Sequence, residues 1–338
     1  MSIPSSVAAR IRRLRGFAAR RAFVALSAAA MVAATQFAHA AWPDKPVRLV
    51  VPYGPGGSSD VIARLLANEM GKTLGQAVVV DNKAGGSGII AMQEVARAAP
   101  DGYNVVLGHV GTLAVNPAMF ARLPYRDEDF APVALLAKVP MVFAVGAKVP
   151  ARTLPEFVAL AKAQPGKLNY GSAGNGSAGH LAFEMLKVAT GVEVTHVPYK
   201  GTGAQLTDLL AGNIDAASAG PPGFVTQAKA GKIKIIATGS PQRLPALPNV
   251  PTVAESGYPG FDSSQWFGLL VPANTPPEIV ARLHDAAVKA LSVPAVLARL
   301  EEDGSTASPM APADFSRFIK AERERWGNVV RKAGLKTD

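Results

Sequence analysis

The sequence predicts an α/β protein of two lobes, each a mostly parallel sheet flanked by helices, with a ligand cleft between them. Three observations predict it. Short β-branched runs alternate with apolar stripes at helical spacing from residue 47 onward. The alternation reads as βαβ in both halves, which calls for parallel strands joined by crossover helices. Two glycine- and serine-rich loops, one per half, stand where a strand hands over to a helix, and ligands of such folds bind at the carboxyl ends of strands.

Residues 1–40 read as an address. Arg10, Arg12, Arg13, Arg15, Arg20 and Arg21 form a basic region, Ala22 to Ala34 is an apolar stretch too short to span a bilayer, and Ala38-His39-Ala40 is a small-x-small cleavage site. The expectation is a cleavable export signal, a mature chain of 298 residues from Ala41, and a periplasmic location. Arg20-Arg21-Ala22-Phe23-Val24 approximates a twin-arginine signal, so the Sec and Tat routes both stay open.

In the first lobe a strand over Val47–Val51 leads through 52–60 into a helix striped by Val61, Ile62, Leu65 and Leu66. A strand over Ala77–Val80, the loop Gly85-Gly86-Ser87-Gly88, a helix over Ile89–Ala98 and a strand over Tyr103–Leu107 complete a βαβαβ unit. The stretch around Asn116-Pro117 and Pro124-Tyr125 reads as irregular, and Val133–Val145 as one or two buried strands. In the second lobe Thr153 starts a helix over Pro155–Gln164, and Leu168–Tyr170 is a strand. A helix over 178–190 stops at Gly191, Val192–Pro198 is a strand, a helix over 203–211 stops at Gly212, and Ile214–Ser218 and Ile233–Ala237 are strands. Five prolines between 241 and 259 predict extended loop. Phe267–Val271 reads as the last strand, followed by helices entered at Pro276-Pro277, Pro294 and Pro312, the last striped by Phe315, Phe318, Ile319, Trp326, Val329 and Val330. Lobe 1 is thus expected at 41–140 plus 268–338 and lobe 2 at 141–267.

The formal charge of +10 falls to +4 without the six arginines of residues 1–40, which have no acidic companion. No lysine–arginine cluster with interleaved aromatics follows, which argues against nucleic acid. The absence of cysteine excludes a disulfide framework and thiolate metal sites. No apolar run beyond residue 40 approaches the ~20 residues of a membrane span, so the mature chain reads as soluble; it is expected to be a monomer.

The chemistry lies in the loops. A helix N-terminus offers unpaired N–H groups and about half a positive charge, and glycine lets a ligand approach that backbone. Tyr53-Gly54-Pro55-Gly56-Gly57-Ser58-Ser59-Asp60 carries more glycine and proline than a cap needs, with Asp60 read first as a capping acid. In Ser172-Ala173-Gly174-Asn175-Gly176-Ser177, three side chains supply neutral donors at a helix entrance, and His180 reads as a capping or surface histidine before a ligand contact. Gly85–Gly88 and Tyr199-Lys200-Gly201-Thr202-Gly203 are further junctions, equally readable as packing turns; Arg126-Asp127-Glu128-Asp129 is a solvated turn. Two such helix starts facing one cleft would hold a carboxylate without lysine or arginine.

Enzymatic readings fare poorly. Neither Ser172 nor Ser177 sits in Gly-x-Ser-x-Gly, there is no His-Glu-x-x-His or P-loop, and His109, His180, His196 and His284 lack metal-ligand spacing. No cofactor or metal is expected. The alternatives are an exported hydrolase using Ser58 or Ser177 and a structural or adhesive envelope protein.

Several motifs together resemble the extracytoplasmic receptors of tripartite tricarboxylate transporters, the Bug or TctC family. They are Asp44-Lys45-Pro46-Val47 with Val51 through Asp60, Asp81 through Gly88, Asp129 through Val133, Ser172 through His180, Tyr199-Lys200-Gly201 with Asp208-Leu209-Leu210, and Pro251 through Gly260. The resemblance covers essentially all of 42–335. It implies a two-lobed, type II periplasmic binding protein that closes on a small carboxylate: a di- or tricarboxylate or an aromatic carboxylate. Such a receptor delivers its ligand to a two-subunit membrane permease or acts as an orphan sensor. Carried over by motif, the first-lobe contacts are Tyr53, Gly56, Gly57 and Ser58 with Gly86 and Thr112 nearby. Those of the second are Ser172, Asn175, Gly176, Ser177 and the Tyr199-Lys200-Gly201 turn. Ala219 stands at about the position where the family often carries an aspartate near the pocket, followed by Gly220-Pro221-Pro222, which lowers the expectation of an amino-acid ligand and adds Pro221 to the candidates. His109, in a stretch usually rich in hydroxyls, is expected to influence specificity.

Overall fold

The first apolar run, Val47–Val51 (β1), is almost wholly buried because it lies between two parallel neighbours, β2 (Val78–Asn82) and β3 (Asn104–His109). The computed structural model describes residues 42–302, 304–332, 334 and 335; the export signal read from residues 1–40 lies outside them. Between these strands run α1 (Ser58–Leu74) and α2 (Ile89–Ala96). Helix α1 ends at Gly75, whose φ of 74° lets its N–H turn back to the Gly71 carbonyl.

Around Asn116-Pro117, expected to be irregular, the chain is instead helical: a π-helical turn over Gly111–Val115 runs into α3 (Asn116–Met119). The Val133–Val145 run resolves into two strands, β4 (Phe130–Val139) and β5 (Val142–Gly146), which belong to different sheets. Next come α4 (Leu154–Ala163), capped by Thr153 Oγ1 accepting from the Glu156 N–H, then β6 (Asn169–Ser172) and α5 (Ala178–Thr190). They are followed by β7 (Thr195–Pro198), α6 (Thr202–Ala211), β8 (Ala216–Ala219), α7 (Phe224–Lys229) and β9 (Ile233–Thr238). After the proline-punctuated loop come β10 (Gln265–Pro272), α8 (Pro277–Ser292), α9 (Pro294–Glu302), β11 (Thr306–Met310) and α10 (Pro312–Lys332).

Two elements go beyond the sequence reading. Strand β11 follows β10, so Phe267–Val271 is not the last strand; β11 is an edge strand, where Pro309 is tolerated because no ladder needs its missing N–H. Helix α7 is too short to show a period and hides behind Gly220-Pro221-Pro222-Gly223.

The first sheet has the order β11-β4-β10-β3-β1-β2 and the second β7-β6-β8-β5-β9. Both are mixed: β10 runs antiparallel to β3 and β4, and β5 antiparallel to β8 and β9. The register sets Phe267 opposite His109 and Gln265 opposite Val139. The start of β10 therefore lies beside the ends of β3 and β4. The chain passes from the first sheet to the second through Pro140 and Met141 and returns through 239–264. The two passages are tied where the Gly239 N–H donates to the Met141 carbonyl (2.7 Å) and the Ser263 N–H to the Gly239 carbonyl (2.8 Å).

Helix α10 covers the first sheet with Phe315, Ile319, Trp326 and Val330 buried. Glu322 lies on the same face, and one of its oxygens accepts from the indoles of both Trp266 (2.8 Å) and Trp326 (2.9 Å). From Lys45 on, the chain is one compact unit.

Candidate functional site

The loop after β1 delivers Tyr53 and then the first turn of α1, with Gly57 as an extended N-cap that has no side chain to occupy the helix's free N–H groups. Asp60 accepts from the Gly56 N–H (3.1 Å) and from Arg64 (2.9 Å). Burial pushes its carboxyl up, but hydrogen bonds from Arg64, Gly56 and Asn82 outweigh that and hold it below the usual range. Asp60 therefore folds the loop and leaves the open end of the helix to Gly57 and Ser58.

The second loop, after β6, rests on a buried platform. Ser177 caps α5 by accepting from the His180 N–H (3.3 Å), and His180 Nδ1 accepts from the Gly176 N–H (3.2 Å). The His180 ring stacks on His196 with centroids 4.1 Å apart, and His196 Nε2 lies 2.7 Å from Ser172 Oγ. Burial, with the Lys187 charge, pushes His180 down to about 4; burial, with the neighbouring His180, pushes His196 down to about 3. His180 is thus a support beneath the loop, not a surface histidine.

The loops converge on a cavity of about 40 Å³, room for roughly three waters or the carboxylate end of a ligand. The elements around the first sheet contribute Tyr53, Gly57, Ser58, His109, Gln265 and Phe267; those around the second contribute Ser177, Gly179, Thr202, Ser218, Ala219 and Gly220, and Met141 comes from the first passage. None of the described lining residues carries an acidic or basic side chain other than neutral His109. Four buried polar atoms of this lining, Tyr53 Oη, Ser58 Oγ, His109 Nε2 and Ser218 Oγ, have no hydrogen-bond partner among the described residues. Buried polar groups are ordinarily paired, so four around one cavity mark a place for a polar guest. Burial alone pushes His109 down to about 3, and burial raises the Tyr53 phenol above its usual range, so both are neutral near pH 7.

Of the residues expected from sequence, Tyr53, Gly57, Ser58, His109 and Ser177 line the cavity. The others do not. Gly56 is exposed and donates to Asp60, and Gly86 is exposed at the turn before α2. Thr112 Oγ1 accepts from the His109 N–H and donates to the His109 carbonyl, both at 3.2 Å. Ser172 is bound to Gly174 and His196, Asn175 is exposed, and Gly176 packs against Asn116 Oδ1. Tyr199 donates to Asp208 (2.6 Å), Lys200 is exposed with its carbonyl against Gly54, Gly201 starts α6, and Pro221 packs beneath Gly304. Asp127 does not stand free in a solvated turn: it pairs with Arg323 of α10.

Ser218, Gln265 and Phe267 escaped the sequence reading, whereas Thr202 was named only within the Tyr199–Gly203 junction and Gly220 only as the residue after Ala219. A search confined to glycine loops after parallel strands passes over Gln265 and Phe267, because they open an antiparallel strand whose start lies at the same sheet edge. Ser218 and Gly220 sit at the carboxyl end of β8 and were legible by the strand-end rule.

The sequence matches the family described as tripartite tricarboxylate transporter family receptor over residues 62–335. It is 36% identical to Protein BugT of Bordetella pertussis over 297 residues, covering 87% of this chain and 91% of that one. Among solved structures, a Rhodopseudomonas palustris protein with adipate superposes with a TM-score of 0.85 at 36% identity, covering 87% of this chain and 99% of the other. MatC from Rhodopseudomonas palustris with bound malate gives a TM-score of 0.81 at 36% identity, covering 86% of this chain and all of that one.

Proposed function

The chain belongs to the tripartite tricarboxylate transporter receptor family, and on that premise we propose that it is an extracytoplasmic receptor for a small organic carboxylate, a di- or tricarboxylate or an aromatic carboxylate. The observation that carries this reading is the set of four unpartnered buried polar atoms around one uncharged cavity between two glycine-loop helix starts. Neutral donors and helix N-termini stabilise a carboxylate without the desolvation cost of a buried lysine or arginine. Similar proteins solved with adipate and with malate support the ligand class.

In this reading residues 41–140 with 268–338 form one lobe and 141–267 the other, save that Gln265–Phe267, the start of β10, go with the first; the hinge is at the tied passages near Met141 and Gly239. Closure gains contacts that exist only with ligand in place, so the ligand shifts a population and no bond is broken. Tyr53, Gly57, Ser58, His109 and Ser177 contact the ligand directly; Gly56, Gly86, Thr112, Ser172, Asn175, Gly176, Tyr199, Lys200, Gly201 and Pro221 shape the loops around it. Residues 1–40 export the chain to the periplasm, and the loaded receptor delivers to a two-subunit permease. The hydrolase alternative on Ser58 or Ser177 finds no general base hydrogen-bonded to either among the described residues: Ser58 Oγ has no partner and Ser177 Oγ accepts from the His180 N–H, while the Ser172–His196 pair lies outside the cavity with Ser172 fully buried.

The test is thermal unfolding of the exported protein with citrate, malate, adipate, benzoate and glutamate. A ligand at 100 times its Kd adds about 2.7 kcal/mol, so one carboxylate class is expected to raise the melting temperature, with the rise reduced in Ser58→Ala and Ser218→Ala. Folded, ligand-free protein that responds to none of the five sinks the proposal.

A further inference from the structure

His109 ends β3 with its ring between Tyr53, at a centroid distance of 4.6 Å, and Phe267, at 5.9 Å. Its backbone is fixed by Thr112 Oγ1, which bonds both its N–H and its carbonyl. The decisive contact is at Nδ1, which accepts from the Gly111 N–H at 2.8 Å. A backbone amide can only donate, so Nδ1 carries the lone pair, and a neutral imidazole then has its single proton on Nε2. A second proton could be placed only on Nδ1, against the Gly111 N–H. Nε2 is the atom left buried without a partner at the cavity. Gly111 makes the arrangement possible: a Cβ there would stand 2.5 Å from His109 Cε1 and 3.1 Å from Tyr53 Oη.

We infer that His109 is a specificity-determining residue that presents a fixed, uncharged Nε2–H donor to the ligand, and so demands an acceptor oxygen there and rejects an ammonium or amide N–H. The inference rests on the carboxylate-receptor reading and deepens it, because a tautomer locked by a backbone amide cannot turn from donor into acceptor to suit a different ligand. Malate and aspartate share a carbon skeleton and differ by a hydroxyl against an ammonium, so this site favours the first of such a pair.

Two measurements test it. In wild-type protein, ¹⁵N NMR of the His109 side chain is expected to show protonated Nε2 and bare Nδ1; the reverse tautomer, or a rapidly exchanging mixture, overturns the inference whatever binds. Titration calorimetry with malate, aspartate, citrate, adipate and benzoate supplies the second. His109→Asn keeps an oxygen that can accept the Gly111 N–H but does not reach the Nε2 position. It is expected to weaken every carboxylate that wild type binds by about 10- to 100-fold, the equivalent of one hydrogen bond to a charged group. His109→Gln, which extends an amide N–H toward that position, is expected to recover most of the loss. Unchanged affinity in folded His109→Asn refutes the role of His109 and leaves the receptor reading intact, whereas wild type that binds none of the five probes refutes both.

Discussion

His109, His180 and His196 share a consequence beyond ligand contact. Burial pushes them down to about 3, 4 and 3, while in the unfolded chain each titrates near 6.5. Between those values the unfolded state binds protons that the folded state refuses. Their contribution to stability is therefore complete above about pH 6.5 and is lost progressively as pH falls toward the folded values, with a slope of up to about 1.4 kcal/mol per pH unit for fully buried His109. Asp60, held below its usual value, works in a lower window: its contribution is present above about 3.8 and lost only as pH falls further. The urea midpoint is thus expected to drop between pH 6.5 and 4.5, before the carboxylates protonate, and His109→Asn to flatten that drop. A midpoint independent of pH across this range would contradict the buried neutral histidines.

Among elements, α10 depends most on one polar residue. Its apolar stripe was legible because Phe315, Ile319, Trp326 and Val330 recur at helical spacing, but nothing in that spacing gives Glu322 a buried role. The reason is tertiary: Trp266 arrives from β10, 56 residues earlier, and shares the Glu322 oxygen with Trp326. Glu322→Ala strands two buried indole N–H groups and is expected to cost about 2–4 kcal/mol, read as a melting temperature lower by several degrees. Glu322→Gln retains an oxygen for both indoles but turns an amide toward Arg325, and should fall between. An unchanged melting temperature for Glu322→Ala would show that the carboxylate does not hold this helix to the sheet.

At the scale of the whole molecule, the two halves meet through backbone so closely that side chains are excluded. A Cβ at Gly54 would stand 2.9 Å from the Lys200 carbonyl, one at Gly57 2.9 Å from Thr202 Oγ1, and one at Gly220 would fall on Ser58 Oγ. Gly220 does not have a positive φ, so a larger residue is tolerated by its own backbone and resisted only across the cleft. Gly220→Val is therefore expected to fold normally yet hold the halves apart. Its affinity should fall more than about 10-fold, and the decrease in radius of gyration expected of wild type on binding a carboxylate should disappear. A variant that still contracts on binding would show that this approach is not part of closure.

Spacing along the chain determined the strand–loop–helix grammar, the helix start at Thr153 and the stops at Gly191 and Gly212, the proline-broken segment before β10 and the family resemblance, since each depends on backbone angles and hydrogen bonds within a few residues. Tertiary structure alone decided which loop residues face the cavity. Thr112, Ser172 and Gly176 turn inward to hold the loops, while Gln265 and Phe267 reach the site from an antiparallel strand far along the chain from His109, whose ladder partner across the register is Phe267. The bonds that leave His109 Nε2 free toward the cavity are local, but the burial that makes that free proton matter comes from Tyr53 and Phe267. Those are brought together by strand register, which no local pattern encodes.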